Sequence, residues 1–138
     1  MKKQLQQLWD FQSAYNSTKN TTPTLIEPDD YFLRYRLGKE ELLEYLDACN
    51  NDDIVEITDA LADQLYILLG TMVAHGMQDI IEDVFNEVHR SNMSKLGENG
   101  KPIYREDGKV LKGPNYSPPN IAQFIPGTQF EIPFDEEV

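Results

Sequence analysis

From Glu40 through His89, more than a third of the 138 residues, the chain has no Lys or Arg. Acidic side chains in that stretch therefore find no basic partner within it. Cysteine is almost missing as well: Cys49 stands alone, which excludes an internal disulfide. Its helix-end surroundings read as an ordinary structural position in a reducing compartment. The N-terminus, MKKQLQQLWDFQ, has two lysines but no apolar core of signal-peptide length, and no later apolar run is expected to approach a membrane span. The expected site of action is the cytoplasm. Positive charge is scarce throughout, with 12 Lys and Arg against 24 Asp and Glu and a formal charge of -12. That balance argues against nucleic acid or an anionic membrane as the main partner. The length suits one domain with a small core, which pairing of subunits would enlarge.

What the chain does contain is carboxylate, in two clusters separated by a short polar break. Glu40, Glu41 and Glu44 form the first; Glu56, Asp59 and Asp63 form the second. At about 100° per residue, Glu40 and Glu44 share a helix face with Glu41 beside them, and Glu56, Asp59 and Asp63 stack on one narrow stripe. The helix that carries the second cluster is otherwise apolar nearly all round, from Ile54 to Leu69, and a helix of that kind is expected to be buried. Burying several ionised carboxylates side by side costs many kcal/mol unless they are protonated, paired with bases or bound to cations. With bases absent from the segment, a hard divalent cation with oxygen ligands, Mg²⁺ or Mn²⁺, satisfies the chemistry. For the first cluster alone a solvated face is an equally good reading, since Leu42, Leu43 and Leu46 lie opposite it. The second cluster tips the balance. The turn ACNNDD, with Asn50 or Asn51 as N-cap, makes the two helices antiparallel neighbours, bringing Glu44 toward Glu56 and Glu40 toward Asp63.

The remaining segments build a helical bundle around that pair. Residues near Lys2 to Tyr15 form an amphipathic helix with Leu5, Leu8, Trp9 and Tyr15 on or near one face. The polar NSTKNTTPTLIEP is a connecting loop. The second helix starts near Asp29, after Pro28, and runs through Ala48 with Gly38 as a weak point. The third closes near His75 and Gly76. The fourth, near Asp79 to Met93, turns Ile80, Ile81, Val84, Phe85 and Val88 inward and Glu82, Asp83 and Glu87 outward. His75 and His89 lack the i, i+4 partner of a zinc helix and are assigned to packing or helix ends.

At Arg90 the charge reverses. Half of the basic residues fall within Arg90 to Lys112: Arg90, Lys95, Lys101, Arg105, Lys109 and Lys112. Ser91, Asn92, Ser94 and Tyr116 add hydrogen-bonding groups, and Asp107-Gly108 marks a short β-hairpin or tight turn. A carboxylate cage followed by a basic, donor-rich segment suits a metal-bound phosphate ester. The plainer alternative is a solvated basic loop that balances the acidic bundle.

EELLE, then DALADQLYILLG, then EVHRSNMSKLGENGKPIYREDGKVLKGPNY together resemble the all-α nucleoside triphosphate pyrophosphohydrolase superfamily. The resemblance is to its phosphoribosyl-ATP pyrophosphohydrolase-like branch, related to MazG and dimeric dUTPases, and covers roughly residues 30 to 120. It implies an all-α bundle of four to five helices with a short β-hairpin or loop after the last long helix, assembled as a homodimer or homotetramer. Residues 1–120 would be the domain and 121–138 a C-terminal extension. It implies Mg²⁺-dependent cleavage of the α-β phosphoanhydride of a nucleotide to a nucleoside monophosphate and pyrophosphate. Matched by motif, Glu41, Glu44, Glu56, Asp59 and Asp63 are the metal ligands, Asp63 fitting best before its apolar run. Asn92 and Lys95 match the family's contacts to nucleotide or phosphate; Arg90, Lys109, Lys112 and Tyr116 of the basic segment are the further expected substrate contacts, and Glu41, then Glu40, is the expected proton acceptor. Two alternatives stay open, phosphoribosyl-ATP as substrate and a non-catalytic acidic helical interaction module. Which base or sugar is preferred depends on pocket shape.

Overall fold

The computed structural model describes residues 1–126, so the greater part of the expected 121–138 extension lies outside the described residues. Four α-helices appear: α1, Lys2–Ala14; α2, Pro28–Asn50; α3, Ile54–Ala74; and α4, Ile81–Met93. A short 3-10 turn, Ala122–Phe124, follows them. Among the described residues the only β pairing is the antiparallel bridge of Tyr104 with Val110, closed over Gly108 at φ +89°. The all-α bundle with a vestigial hairpin after the last long helix is therefore the fold that forms. Two compact units divide after Asp79.

In the first unit α3 is central, packed against both α1 and α2. Leu5 and Leu8 of α1 and Ala60, Leu69, Val73 and Ala74 of α3 are buried. Phe11 meets Tyr66 edge-on at a centroid distance of 5.5 Å. Tyr15, expected on the inward face of α1, is exposed and leans on Phe11, while Gln12 is buried at 2 % exposure. Inside, the Gln12 amide nitrogen donates to the Thr18 carbonyl at 2.8 Å, while its Oε1 is sealed from solvent without a hydrogen-bond partner. Arg34 ties α2 to α3, its Nε donating to Thr71 Oγ1 at 3.0 Å and its Nη2 to the Ile67 carbonyl at 2.8 Å. Gly70 makes room for this tie, since a Cβ there would lie 2.4 Å from Arg34 Nη2 and 2.5 Å from Gln12 Oε1.

Helix ends follow sequence chemistry with one exception. Pro28 occupies the first turn of α2, with Asp29 and Asp30 at its positive end. The N-cap of α3 is Asp53, not Asn50 or Asn51. Its Oδ1 accepts from Val55 N and Glu56 N, both at 3.1 Å, whereas Asn50 is still helical and Asn51 caps the end of α2. A carboxylate two residues later outcompetes the amides because it lies at the extended residue where α3 begins. Beyond α3, Gly76 at φ +74° lets the 20–24 loop fold over the helix end. Asn20 N donates to Val73 O, Asn20 Nδ2 to Ala74 O and Thr24 N to His75 O, so that loop is a cap as well as a connector.

Expectations about burial and hydropathy fail in both units. α3 is not buried all round, for Ile54, Val55, Leu61, Leu65 and Leu68 are exposed. It is also long and apolar enough to cross a membrane, contrary to the expectation that no run approaches a span. By packing it behaves as the central helix of its unit. In the second unit α4 starts at Ile81, two residues late, and Phe85, expected inward, is 68 % exposed. Glu87, expected to face solvent, is drawn in by Arg90 and the backbone of Asn120.

Candidate active site

Because α2 runs as far as Asn50 and the turn to α3 takes only three residues, the carboxylates of the two helices meet in one register. Glu41 and Glu44 of α2 and Asp63 of α3 each bring an oxygen within 4.8 Å of the others. The register differs from the expected facing of Glu40 with Asp63 and Glu44 with Glu56. A step of one residue on a helix turns a side chain by about 100°, so Glu41 faces α3 and Glu40 faces out. Glu40 and Glu56 are exposed and stand outside this group. Asp59, one turn before Asp63, is close enough to act electrostatically on both Glu41 and Asp63.

The electrostatics of the group are those of crowded negative charge. Loss of water pushes the Glu41 carboxyl up to about 7, helped by a hydrogen bond shared with Glu44 and by the charges of Glu44, Asp63 and Asp59. Glu41 Oε2 is sealed from solvent without a hydrogen-bond partner. Asp63 is raised too, first by desolvation and then by Asp59 and Glu44. Among the described residues no cation is paired with any of these acids. A polar oxygen left open, two carboxyls pushed toward the protonated form and a donor set made only of oxygen fit a hard divalent cation, which would relieve the first two conditions.

Beside the acids, but turned away from them, a groove of about 820 Å³ runs along α2 and α3. Its lining includes Tyr31, Tyr35, Leu42, Gln64 and Leu68, with Arg34 and Lys39 and no carboxylate. Leu42 and Gln64 follow Glu41 and Asp63 in sequence, so their side chains leave the helices about 100° away from the acidic group.

The predicted substrate residues fall in the second unit, and its structure separates them. Arg90 is committed internally: its Nε and Nη2 hold both oxygens of Glu87, at 2.8 and 2.9 Å, and Nη2 also reaches the Pro118 carbonyl at 3.2 Å. Lys95 and Lys112, distant in sequence, are brought together where Gly113 N donates to the Lys95 carbonyl at 2.8 Å. The Lys112 ammonium lies 4.8 Å from the Tyr116 ring centroid. Asn92 is exposed one turn before Lys95, and Lys109 is exposed at the hairpin, where Arg105 is bound to Asp107. Composition alone makes these side chains look alike, yet Arg90 differs because it is bonded to Glu87, its neighbour on one helix face. The i, i+3 spacing of Glu87 and Arg90 is the signal that was there to find.

No curated protein matches the chain. A family match covers residues 8–92, more than half of the chain, and takes in both acidic clusters together with Arg90 and Asn92, while Lys95, Lys109, Lys112 and Tyr116 lie beyond it. With that match spanning the helices that bring Glu41, Glu44 and Asp63 together, the chain belongs to the phosphoribosyl-ATP pyrophosphohydrolase family, hydrolases acting on phosphoanhydride bonds.

Proposed function

We propose that the protein hydrolyses the α-β phosphoanhydride of a nucleoside triphosphate, with Mg²⁺ or Mn²⁺, to a nucleoside monophosphate and pyrophosphate. The observation that carries this reading is the convergence of Glu41, Glu44 and Asp63 from two helices without a basic counterion. Glu44 and Asp63 would hold the cation with Glu41, and Asp59 adds negative charge alongside. A divalent cation in such a donor set supplies an acidified water and neutralises charge on phosphate oxygens. Glu41 accepts the proton of the attacking water, with Glu40 one residue away as the second candidate. Glu56, exposed in the first turn of α3, drops out of the proposed ligand set. Lys95, Lys109 and Lys112 steady the departing pyrophosphate, with Asn92 and Tyr116 as neutral contacts.

Phosphoribosyl-ATP is the second substrate reading, favoured by the family's own name. The deciding experiment incubates the protein with Mg²⁺ and a panel of ribo- and deoxyribonucleoside triphosphates and phosphoribosyl-ATP. Monophosphate and pyrophosphate are scored separately from orthophosphate. Orthophosphate alone means that another bond is cut, and no product with any substrate returns the acids to the role of an interaction surface.

A second copy of the chain is the proposed occupant of the groove along α2 and α3, giving a homodimer or homotetramer acting in the cytoplasm. Tyr35, Leu42, Leu65 and Leu68, all exposed, line that groove together, and an apolar groove of this kind is a favoured place for association. Light scattering that finds a monomer at micromolar concentration removes this part of the proposal.

A further inference from the structure

Residues 113–120 lie along α4 as a strap, held at four positions of that helix and its end. Gly113 N donates to the Lys95 carbonyl at 2.8 Å, and Ser117 N donates to Ser94 Oγ at 2.9 Å. Arg90 Nη2 donates to the Pro118 carbonyl at 3.2 Å, and Asn120 N donates to Glu87 Oε2 at 2.7 Å. Glu87, Arg90 and the C-cap Ser94 recur at i, i+3 and i+7 on one side of α4, and the fourth anchor is the Lys95 backbone carbonyl just beyond the helix end. Gly113 is required at the near end, because a Cβ there would lie 2.3 Å from the Leu96 carbonyl oxygen. Pro118 and Pro119 keep the far end extended.

Glu87 and Arg90 are the charged centre of this arrangement. The carboxylate accepts three hydrogen bonds, two from Arg90 and one from the strap backbone. The guanidinium, held flat by that bidentate grip, also bonds the strap. We infer that Glu87 and Arg90 form a latch that fixes the strap on α4 and thereby positions Lys112 and Tyr116, which makes Arg90 a positioning residue and not a phosphate ligand. What the strap presents its side chains to rests on the proposed function; the latch itself does not.

The two roles make opposite predictions for Glu87. If Arg90 bound phosphate directly, removing Glu87 would free it and tighten substrate binding. If Arg90 acts through the latch, removing either partner releases the same strap. Amide hydrogen exchange on the full-length protein reads the latch without substrate. In Glu87→Ala, protection at Asn120 and Ser117 should fall at least tenfold while amides within α4 keep theirs. Arg90→Ala should do the same, and Arg90→Lys should restore part of it. In kinetics with the preferred triphosphate, Glu87→Ala and Arg90→Ala should each raise KM about five- to tenfold, an effect on orientation worth about 1 to 1.4 kcal/mol, and leave kcat within about twofold. The double variant should be no worse than either single one. Unchanged exchange at Asn120 and Ser117 in Glu87→Ala overturns the latch. A raised KM in Arg90→Ala with a lowered one in Glu87→Ala overturns the positioning role and returns Arg90 to the substrate. Absence of turnover in the wild type overturns the proposed function and the kinetic half with it, while exchange still decides the latch.

Discussion

Replacing Glu41 by Gln should stabilise the protein when divalent cations are removed, by an amount that grows between pH 4.5 and about 7 and is full above that. In the fold this carboxyl titrates at about 7, against 4.5 for the unperturbed group, because it has lost water and faces Glu44, Asp63 and Asp59. Between those two values the folded chain binds more protons than the unfolded one. Unfolding free energy therefore falls as pH rises through that window and levels off above it. Taken at face value the difference is about 3 kcal/mol; because Glu41 is only half-buried, solvent screening leaves roughly 1 to 2 kcal/mol. Glutamine keeps the shape, cannot ionise and offers its amide to Glu44. In a thermal melt with excess chelator, Glu41→Gln should exceed the wild type by about 3 to 7 °C at pH 8 and match it near pH 4.5. Saturating Mg²⁺ should raise the wild type and close the gap, since a cation bound only by the folded form stabilises it by mass action. An equal gain at pH 5 and pH 8, or a variant less stable than the wild type at pH 8 in chelator, would refute the account of this cluster.

Other consequences can be measured as directly. Asp63→Ala should abolish pyrophosphate release while leaving the circular dichroism spectrum and melting temperature intact, because it removes a ligand and relieves repulsion together. Gly70→Ala should cost about 1 to 3 kcal/mol in denaturant unfolding, since its methyl group would displace both Arg34 Nη2 and Gln12 Oε1. Glu87, held down to about 2 by Arg90 and the Asn120 amide, stabilises the fold above pH 4.5, and that contribution is lost as pH falls toward 2. Glu87→Gln should accordingly flatten the acid limb of a stability-versus-pH curve.

Helix existence and order were legible in the chain because each segment carries its own local information. Apolar spacing marked α1 and α3, Pro28 with two aspartates opened α2, and Gly76 closed α3. Family membership was equally legible, in runs of residues that needed no coordinates. Periodicity placed six acids on two helix faces without choosing among them, since Glu40 and Glu41 differ only in rotation about the axis. The choice of Glu41, Glu44 and Asp63 depended on where the turn ends and Asp53 takes over as cap, a matter of one residue that packing of α2 against α3 decides. Burial was the least legible property. The sequence marks α3 as apolar, but whether Leu65 and Leu68 meet protein or water depends on what else is present. In the second unit composition announced a cluster of cations; the i, i+3 spacing of Glu87 and Arg90 hinted that one was neutralised, and the fold brought Lys95 and Lys112 together. Local pattern determines which groups a chain carries and on which helix face; the register between helices, set by turns and packing, determines which of those groups meet.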